Sequence, residues 1–380
     1  MTTERQAVSD LIAAAVQTVP REHYTDHAEL GSVPQSTAQH AIERDLGRAG
    51  VERGMRVMEI GTGTGYTGAL LAEMVGPEGH VVSIDIDPEL SDRAAKLHAE
   101  RGLSNLTLVT ADGRQGAADH GPYDVILGWA SPTHIPQAWL DQTRPGGRIA
   151  TPIYLAPVAR AVGHVVVAIT DSHEPAQPIL GPAVYVDMGG IPNRTLGLPM
   201  FYADASNGDT DAPAYVSIAW RDSARPGDAQ ATLAMLHQPN LVQASVFSDD
   251  EREQATRWHD FRSYCIARSS GDGSNLTVYG TGAPGWILSI GFSSSRNAAV
   301  LTQDGQLIAN SENSPALMKL REFMSDWHNA GKPGLELLRG RLVRQDPGWA
   351  VSPEWRAVPP PAGQLRTDAL PGLPLPTEQR

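Results

Sequence analysis

Between Arg56 and Pro152 the chain switches between β-type and helical runs with a regularity that few folds can absorb. The β-type runs are Arg56–Ile60, His80–Ile84, Leu106–Thr110, Tyr123–Leu127 and Arg148–Pro152. Helical runs fall between them at Thr67–Val75, Pro88–Gly102 and Ile135–Thr143. Such alternation predicts a mostly parallel sheet with helices on both faces. Two further runs, Ala161–Thr170 and Pro182–Met188, are expected to close the sheet as an antiparallel edge pair. Upstream, residues 5–18 carry Val8, Leu11, Ile12, Ala15 and Val16 at helical spacing. A second helix is expected over Thr37–Ala49, so residues 1–55 form a helix-and-loop cap.

The first strand runs directly into Glu59-Ile-Gly61-Thr62-Gly63-Thr-Gly65-Tyr66. Glycine at alternate positions allows a tight turn and close approach of a ligand to the backbone. A strand, such a turn and a helix N-terminus together make a nucleotide-type site. A dinucleotide fingerprint would place glycine where Tyr66 stands. The Gly-x-Gly-x-Gly spacing after an acid instead resembles class I S-adenosylmethionine-dependent methyltransferases. Glu59 then either meets the ammonium of the methionine end or holds the loop.

Asp85, twenty residues after Gly65, ends the next strand. A carboxylate there can accept from both ribose hydroxyls, with Ile86 beside it on the cofactor. Asp87 precedes Pro88 and is expected to cap the following helix. The third strand ends in Ala111-Asp112-Gly113, where the acid can accept from an adenine amino group and the glycine permits close approach. In open α/β sheets, ligands bind at these carboxyl ends. The loop after the fourth strand, Gly128-Trp129-Ala-Ser131-Pro-Thr-His134, is expected to line the methyl-acceptor site.

Composition narrows the partners. A net charge of -13 argues against nucleic acid, which needs a basic surface. One cysteine, Cys265, builds neither a disulfide framework nor a thiolate metal site. No run has the apolar length of a membrane span, and Leu11–Val16 is too short for a signal core. A cytoplasmic enzyme without metal or membrane is the expectation.

Residues 1–190 resemble the protein-L-isoaspartate O-methyltransferase family. The resemblance rests on Val19-Pro-Arg-Glu-His-Tyr24, Gln35-Ser-Thr-Ala-Gln-His40, Val57–Tyr66, Ala111-Asp-Gly113, Pro122-Tyr-Asp124 and Arg144-Pro-Gly-Gly-Arg148. It implies transfer of methyl from S-adenosyl-L-methionine to an aspartyl carboxylate, leaving S-adenosyl-L-homocysteine. It also implies that Ser36, Thr37, Gln39 and His40 form the acceptor loop. The family serine falls on Ala38, so Ser36 or Thr37 must supply the hydroxyl or the site is altered.

From residue 196 to 357 the texture becomes α+β, with strands expected at Ala214–Trp220, Asn275–Tyr279, Trp286–Phe292, Ala298–Thr302 and Gln306–Ala309. Helices are expected at Thr232–Leu236, Asp250–Ala267 and Pro315–Asn329. Residues 358–380 read as a Pro-rich tail. The extension resembles that of variants associated with lanthipeptides and graspetides, which methylate an aspartate of a cyclised ribosomal peptide. The sequence thus predicts a Rossmann-like class I methyltransferase of residues 1–195 with a C-terminal α+β substrate-recognition domain. General isoaspartate repair and a non-catalytic peptide-binding module are the alternatives.

Overall fold

A computed structural model describes residues 3–27, 31–32, 36–183, 185–189, 199, 201–245, 247–269, 275–282 and 286–355. The expected boundary at 195/196, the tail 358–380 and Gln35 lie outside them. The chain forms two compact units. The first comprises Met1–Tyr154, Val162–Ile191 and Gly340–Val351; the second comprises Leu155–Ala161, Pro192–Arg339 and Ser352–Arg380.

The first unit begins with helices α1 (Thr3–Thr18) and α2 (Arg21–Thr25), a short ladder of β1 (Asp26–His27) and β2 (Gly31–Ser32), and helix α3 (Gln39–Ala49). The alternating core follows: β3 (Arg56–Ile60), α4 (Tyr66–Val75), β4 (His80–Asp85), α5 (Pro88–Glu100), β5 (Leu106–Thr110) and β6 (Tyr123–Gly128). Then come β7 (Ala130–Ser131), β8 (Ile135–Pro136), α6 (Gln137–Gln142), β9 (Thr143–Tyr154), β10 (Val162–Ala168), β11 (Ile179–Pro182) and β12 (Val186–Asp187).

The main sheet has the order β11-β10-β9-β6-β3-β4-β5. Pairing is parallel from β9 to β5 and antiparallel for β10 and β11. Strand order reverses beside β3, whose neighbours are β4 and β6. That crevice is where a doubly wound sheet leaves room for a ligand. Val57, Met58, Val81, Val82, Ile84, Val125 and Ile126 are fully buried, as strands covered on both faces require.

Three expectations are corrected. The edge strand is Ile179–Pro182; Val186 and Asp187 instead pair in parallel with Ala130 and Ser131. The helix after the fourth strand starts at Gln137, since Ile135 precedes a proline and is held extended, pairing with Trp349. Likewise α3 starts at Gln39, not Thr37, with Ala38 in the N-cap position and no side-chain cap.

Helix α3 is pinned through a charge. Asp45, 1% exposed, accepts two bonds from Arg44, one from Arg48 at 3.0 Å and one from the Tyr185 hydroxyl at 2.6 Å. A carboxylate this deeply buried persists only with partners of this kind.

The second unit is built on an antiparallel sheet. Its elements are β13 (Ala205–Ser206), β14 (Ala214–Ile218), α7 (Asp228–His237), β15 (Leu241–Ala244), α8 (Glu251–Ser269), β16 (Leu276–Gly282), β17 (Trp286–Ser294), β18 (Asn297–Thr302), β19 (Gln306–Ala309) and α9 (Pro315–Asn329). The strand order is β13-β14-β16-β17-β18-β19-β15. Leu233 and Leu236 of α7 pack on the face carrying Val216 and Val300. Phe323 of α9 meets Phe292, which opposes Ala299 in register and so lies on the other face. Trp258 and Trp327 are core, each 1% exposed or less, whereas Trp220 and Trp286 are half-buried. The first unit is completed later in the chain by β20 (Arg339–Gln345) and β21 (Gly348–Glu354), which form a three-stranded sheet with β8. No strand was expected from the sequence in that stretch or at β15.

Candidate active site

The glycine turn leaves β3 at the switch point. Gly61 and Thr62 donate to the Ile84 carbonyl at 2.7 and 3.2 Å, and Gly65 donates to Thr62 O at 2.8 Å. Gly61, Gly63 and Gly65 have φ of 97°, 52° and 85°, values that disfavour any side chain. At Gly65 space is closed as well: a Cβ would lie 2.9 Å from Ala94 Cβ. Helix α5 braces the turn from this side. His98 Nε2 sits 2.8 Å from Gly65 O, and a carbonyl only accepts, so Nε2 carries the proton. Burial depresses the His98 pKa and keeps the ring neutral. Arg93 adds a bond from Nη1 to Thr64 O at 3.1 Å.

Glu59 holds the loop. It is fully buried and accepts from Thr67 Oγ1, from Ser83 Oγ at 2.6 Å and from Trp129 Nε1 at 2.9 Å. Ser83 Oγ also lies 2.7 Å from Thr62 Oγ1. One carboxylate thereby ties together β3, α4, β4 and the loop after β6. Burial pushes its pKa up to about 7, against the pull of these donors. Of the two roles open for Glu59, the geometry favours the second: the side chain is fully buried and both of its oxygens accept from the chain's own donors.

Asp85 stands at the tip of β4 and is partly exposed. Its Oδ2 accepts from Gly63 N at 2.9 Å and its Oδ1 from Asp87 N at 3.0 Å. Each oxygen keeps one lone pair for a further donor. Ile86 follows with 46% exposure, an apolar side chain presented beside the acid. Asp87 caps α5, accepting from Glu89 N at 2.9 Å.

Asp112 differs from expectation. Both of its oxygens are engaged by Arg114, at 2.7 to 3.0 Å, in a half-exposed pair that holds its pKa down. A contact with an adenine amino group requires Arg114 to yield. Gly113 fits tightly, since a Cβ there would lie 2.5 Å from Ile60 Cγ2.

The loop expected to meet the acceptor, Ser36–His40, is linked through Arg21 to Tyr66 at the start of α4. Ser36, Thr37 and Gln39 are partly exposed, while Ala38 and His40 are exposed. Gln39 is committed at both ends: Oε1 accepts from Arg21 Nη1 at 3.2 Å and Nε2 donates to Glu43 at 2.8 Å. Tyr66, 1% exposed, opens α4 beneath this loop.

Of the residues expected to line the acceptor site, Trp129 is 7% exposed and spends its indole N–H on Glu59. Ser131 is fully buried in the β7–β12 ladder, its Oγ without a partner among the described residues. Both follow the end of β6, but the bond to Glu59 draws Trp129 inward and the pairing of β7 with β12 buries Ser131. His134 remains half-buried beside Thr133, its pKa lowered by burial and by Arg114.

The residues missed are Arg21, Thr67, Ser83 and Arg114. Ser83 had a signal, being the one polar residue in the apolar run Val81–Ile84. The others interact across turns that no local pattern encodes. Among the described residues no group of three His, Cys, Asp or Glu side chains is placed to hold a metal, and no helix is long and apolar enough to cross a membrane. A Cβ added at Gly61 would meet nothing nearer than Trp129 Cβ at 3.5 Å, so the turn keeps an open cradle that a side chain would fill.

The family model for Protein-L-isoaspartate(D-aspartate) O-methyltransferase (PCMT) matches residues 1–170. A protein-L-isoaspartate O-methyltransferase of Ignicoccus hospitalis is 35% identical over 153 residues, 37% of this chain and 72% of that protein. One from Thermotoga maritima is 33% identical over 171 residues, 40% of this chain and 53% of that protein, so it too extends well past the matched part. A solved structure described as protein-L-isoaspartate O-methyltransferase is similar over 91% of this chain and 96% of its own, at 20% identity and a TM-score of 0.46.

Proposed function

Because the chain belongs to the protein-L-isoaspartate O-methyltransferase family, we propose that its acceptor is an aspartyl side chain in a peptide of restricted shape, a ribosomally made and cyclised one. The coarser activity follows from the family: an S-adenosylmethionine-dependent protein-L-isoaspartate O-methyltransferase of class I fold.

When bound, S-adenosyl-L-methionine supplies an electrophilic methyl group on a sulfonium, and its loss leaves S-adenosyl-L-homocysteine. The chain's task is alignment. Asp85 would hold the ribose hydroxyls with its two remaining lone pairs, and the exposed Ile86 beside it would offer an apolar contact to the adenine. Gly61, Thr62, Gly63 and Gly65 admit the methionine end close to the backbone, on a turn held by Glu59. Asp112 and Gly113 border the adenine once Arg114 yields. On the acceptor side, Ser36, Thr37 and His40 orient the carboxylate, with Gln39 fixing the loop, and His134 borders the entry.

An acceptor carboxylate is already ionised at neutral pH, so no general base is needed. Its oxygen forms a bond to the methyl carbon as the carbon–sulfur bond breaks. Holding the two in line and excluding water lowers the barrier. The methyl ester is then attacked by the next backbone nitrogen, methanol leaves and a succinimide forms. Water opens that ring to aspartate or isoaspartate.

The observation that carries the narrower substrate is Ala38. It occupies the N-cap of α3 with no hydroxyl and no side-chain cap, at the position of the family serine. A loop lacking that hydroxyl favours an acceptor held in shape by its own ring over a free chain. General isoaspartate repair is the second reading, favoured by the Thermotoga maritima relative, which also extends past the matched part. The test is methyl transfer to a linear isoaspartyl peptide and to a cyclic aspartyl peptide of equal length. Preference for the cyclic peptide is expected; equal or faster turnover of the linear one selects repair.

A further inference from the structure

Arg21 is assigned no role by the sequence motifs, yet it touches three parts of the site. Its Nη2 donates to the Thr37 carbonyl at 2.6 Å and its Nη1 to Gln39 Oε1 at 3.2 Å. Its guanidinium lies 5.1 Å from the centroid of the Tyr66 ring. Tyr66 is the first residue of α4 and follows Gly65 directly. Burial raises the Tyr66 phenol pKa, against hydrogen bonds with Gln39 and Arg21.

We propose that Arg21 is a positioning residue for methyl transfer, a clamp that fixes the acceptor loop Ser36–His40 against the cofactor turn. The proposal rests on the functional reading above. The clamped carbonyl belongs to Thr37, the residue before Ala38, where the backbone has no side-chain cap to hold it. The partner Gln39 cannot turn away, because its amide nitrogen is spent on Glu43. The planar face rests on Tyr66 while two N–H groups fork to separate acceptors. That geometry belongs to guanidinium; an ammonium reaches one acceptor and stacks poorly. Arg21 spends its bonds and its planar face on Thr37, Gln39 and Tyr66, so its effect falls on the spacing of the loop and the turn that these residues belong to. A small error in that distance is costly for an in-line transfer.

The experiment compares wild type with Arg21→Gln and Arg21→Lys in three measurements: steady-state kinetics on an isoaspartyl peptide, S-adenosyl-L-homocysteine affinity by calorimetry, and amide exchange. Arg21→Gln is expected to lower kcat/KM for the peptide at least about tenfold while S-adenosyl-L-homocysteine affinity stays within about twofold. Arg21→Lys is expected to fall between the two. Amides of residues 37–42 exchange faster in the variants with S-adenosyl-L-homocysteine bound, and those of 66–75 do not. Unchanged kcat/KM, or loss of peptide turnover and cofactor affinity in equal measure, overturns the clamp. If wild type itself fails on the peptide, the functional reading fails and amide exchange still decides the clamp. If Arg21→Gln does not fold, Arg21→Lys carries the same comparison.

Discussion

The indole N–H of Trp129 donates to Glu59 Oε1 across 2.9 Å, joining the loop after β6 to the strand that feeds the glycine turn. Seventy residues separate the two in sequence. With Thr67 and Ser83 on the same carboxyl group, the turn is fixed from three elements at once. The same network sets several expected outcomes.

Glu59 links stability to pH. Its folded pKa, about 7, lies above the ordinary value of 4.5 because burial opposes ionisation. Stability from this group is therefore full below pH 4.5 and is lost as pH rises through 7. The loss is on the order of 3 kcal/mol at most. Glu59→Gln is expected to flatten the dependence of unfolding free energy on pH between 4.5 and about 7 in denaturant titrations, the range set by the two pKa values. A slope equal to that of wild type counts against a buried, titrating Glu59.

Gly65→Ala tests the turn itself. The residue has φ of 85° and its Cβ would press on Ala94 at 2.9 Å. The strain of a left-handed alanine and the overlap together are expected to cost about 2 kcal/mol or more. Thermal unfolding should shift down and S-adenosyl-L-homocysteine binding should weaken in the same protein. A variant as stable as wild type excludes this geometry.

Asp85→Ala removes an acceptor from the end of β4 together with its bond to Gly63 N. Charged hydrogen bonds of this kind contribute about 1.5–3 kcal/mol each. S-adenosyl-L-homocysteine affinity is expected to fall by at least about tenfold in calorimetry. Unaltered affinity would show that Asp85 does not meet the ribose.

Tyr185→Phe leaves Asp45 buried with one donor fewer. The loss is expected to be about 1.5–3 kcal/mol, seen as a lower urea midpoint with an unchanged slope. Binding of S-adenosyl-L-homocysteine should stay near wild type, because Asp45 lies on α3 and not in the turn. A stability equal to wild type would mean that Arg44 and Arg48 satisfy Asp45 alone.

Much of this architecture was readable from period and punctuation. The runs at Val57, Val81 and Tyr123 are apolar because both faces of the sheet are covered, and Gly61, Gly63 and Gly65 mark a turn whose backbone takes positive φ. Asp85 was legible because a strand end places its side chain without help. The rest depends on distant partners. The choice between ligand and brace for Glu59 needed Thr67, Ser83 and Trp129. Asp112 needed Arg114, two residues on, whose side chain turns back on it. The two-residue ladder of β7 with β12 is too short to carry a period of its own, so the burial of Ser131 was not visible. Pro136 did signal the late start of α6, through its effect on Ile135.

The most direct measurement follows the methyl group. The full chain is incubated with S-adenosyl-L-methionine and a peptide bearing an isoaspartyl or cyclically constrained aspartyl residue, and the products are resolved by mass spectrometry before and after mild alkali. The account predicts one added methyl group on the acidic residue, formed with S-adenosyl-L-homocysteine and lost in alkali as an ester must be, with succinimide appearing in its place. A methyl group that survives alkali, or no transfer to any aspartyl peptide from a protein that binds S-adenosyl-L-methionine, would contradict it.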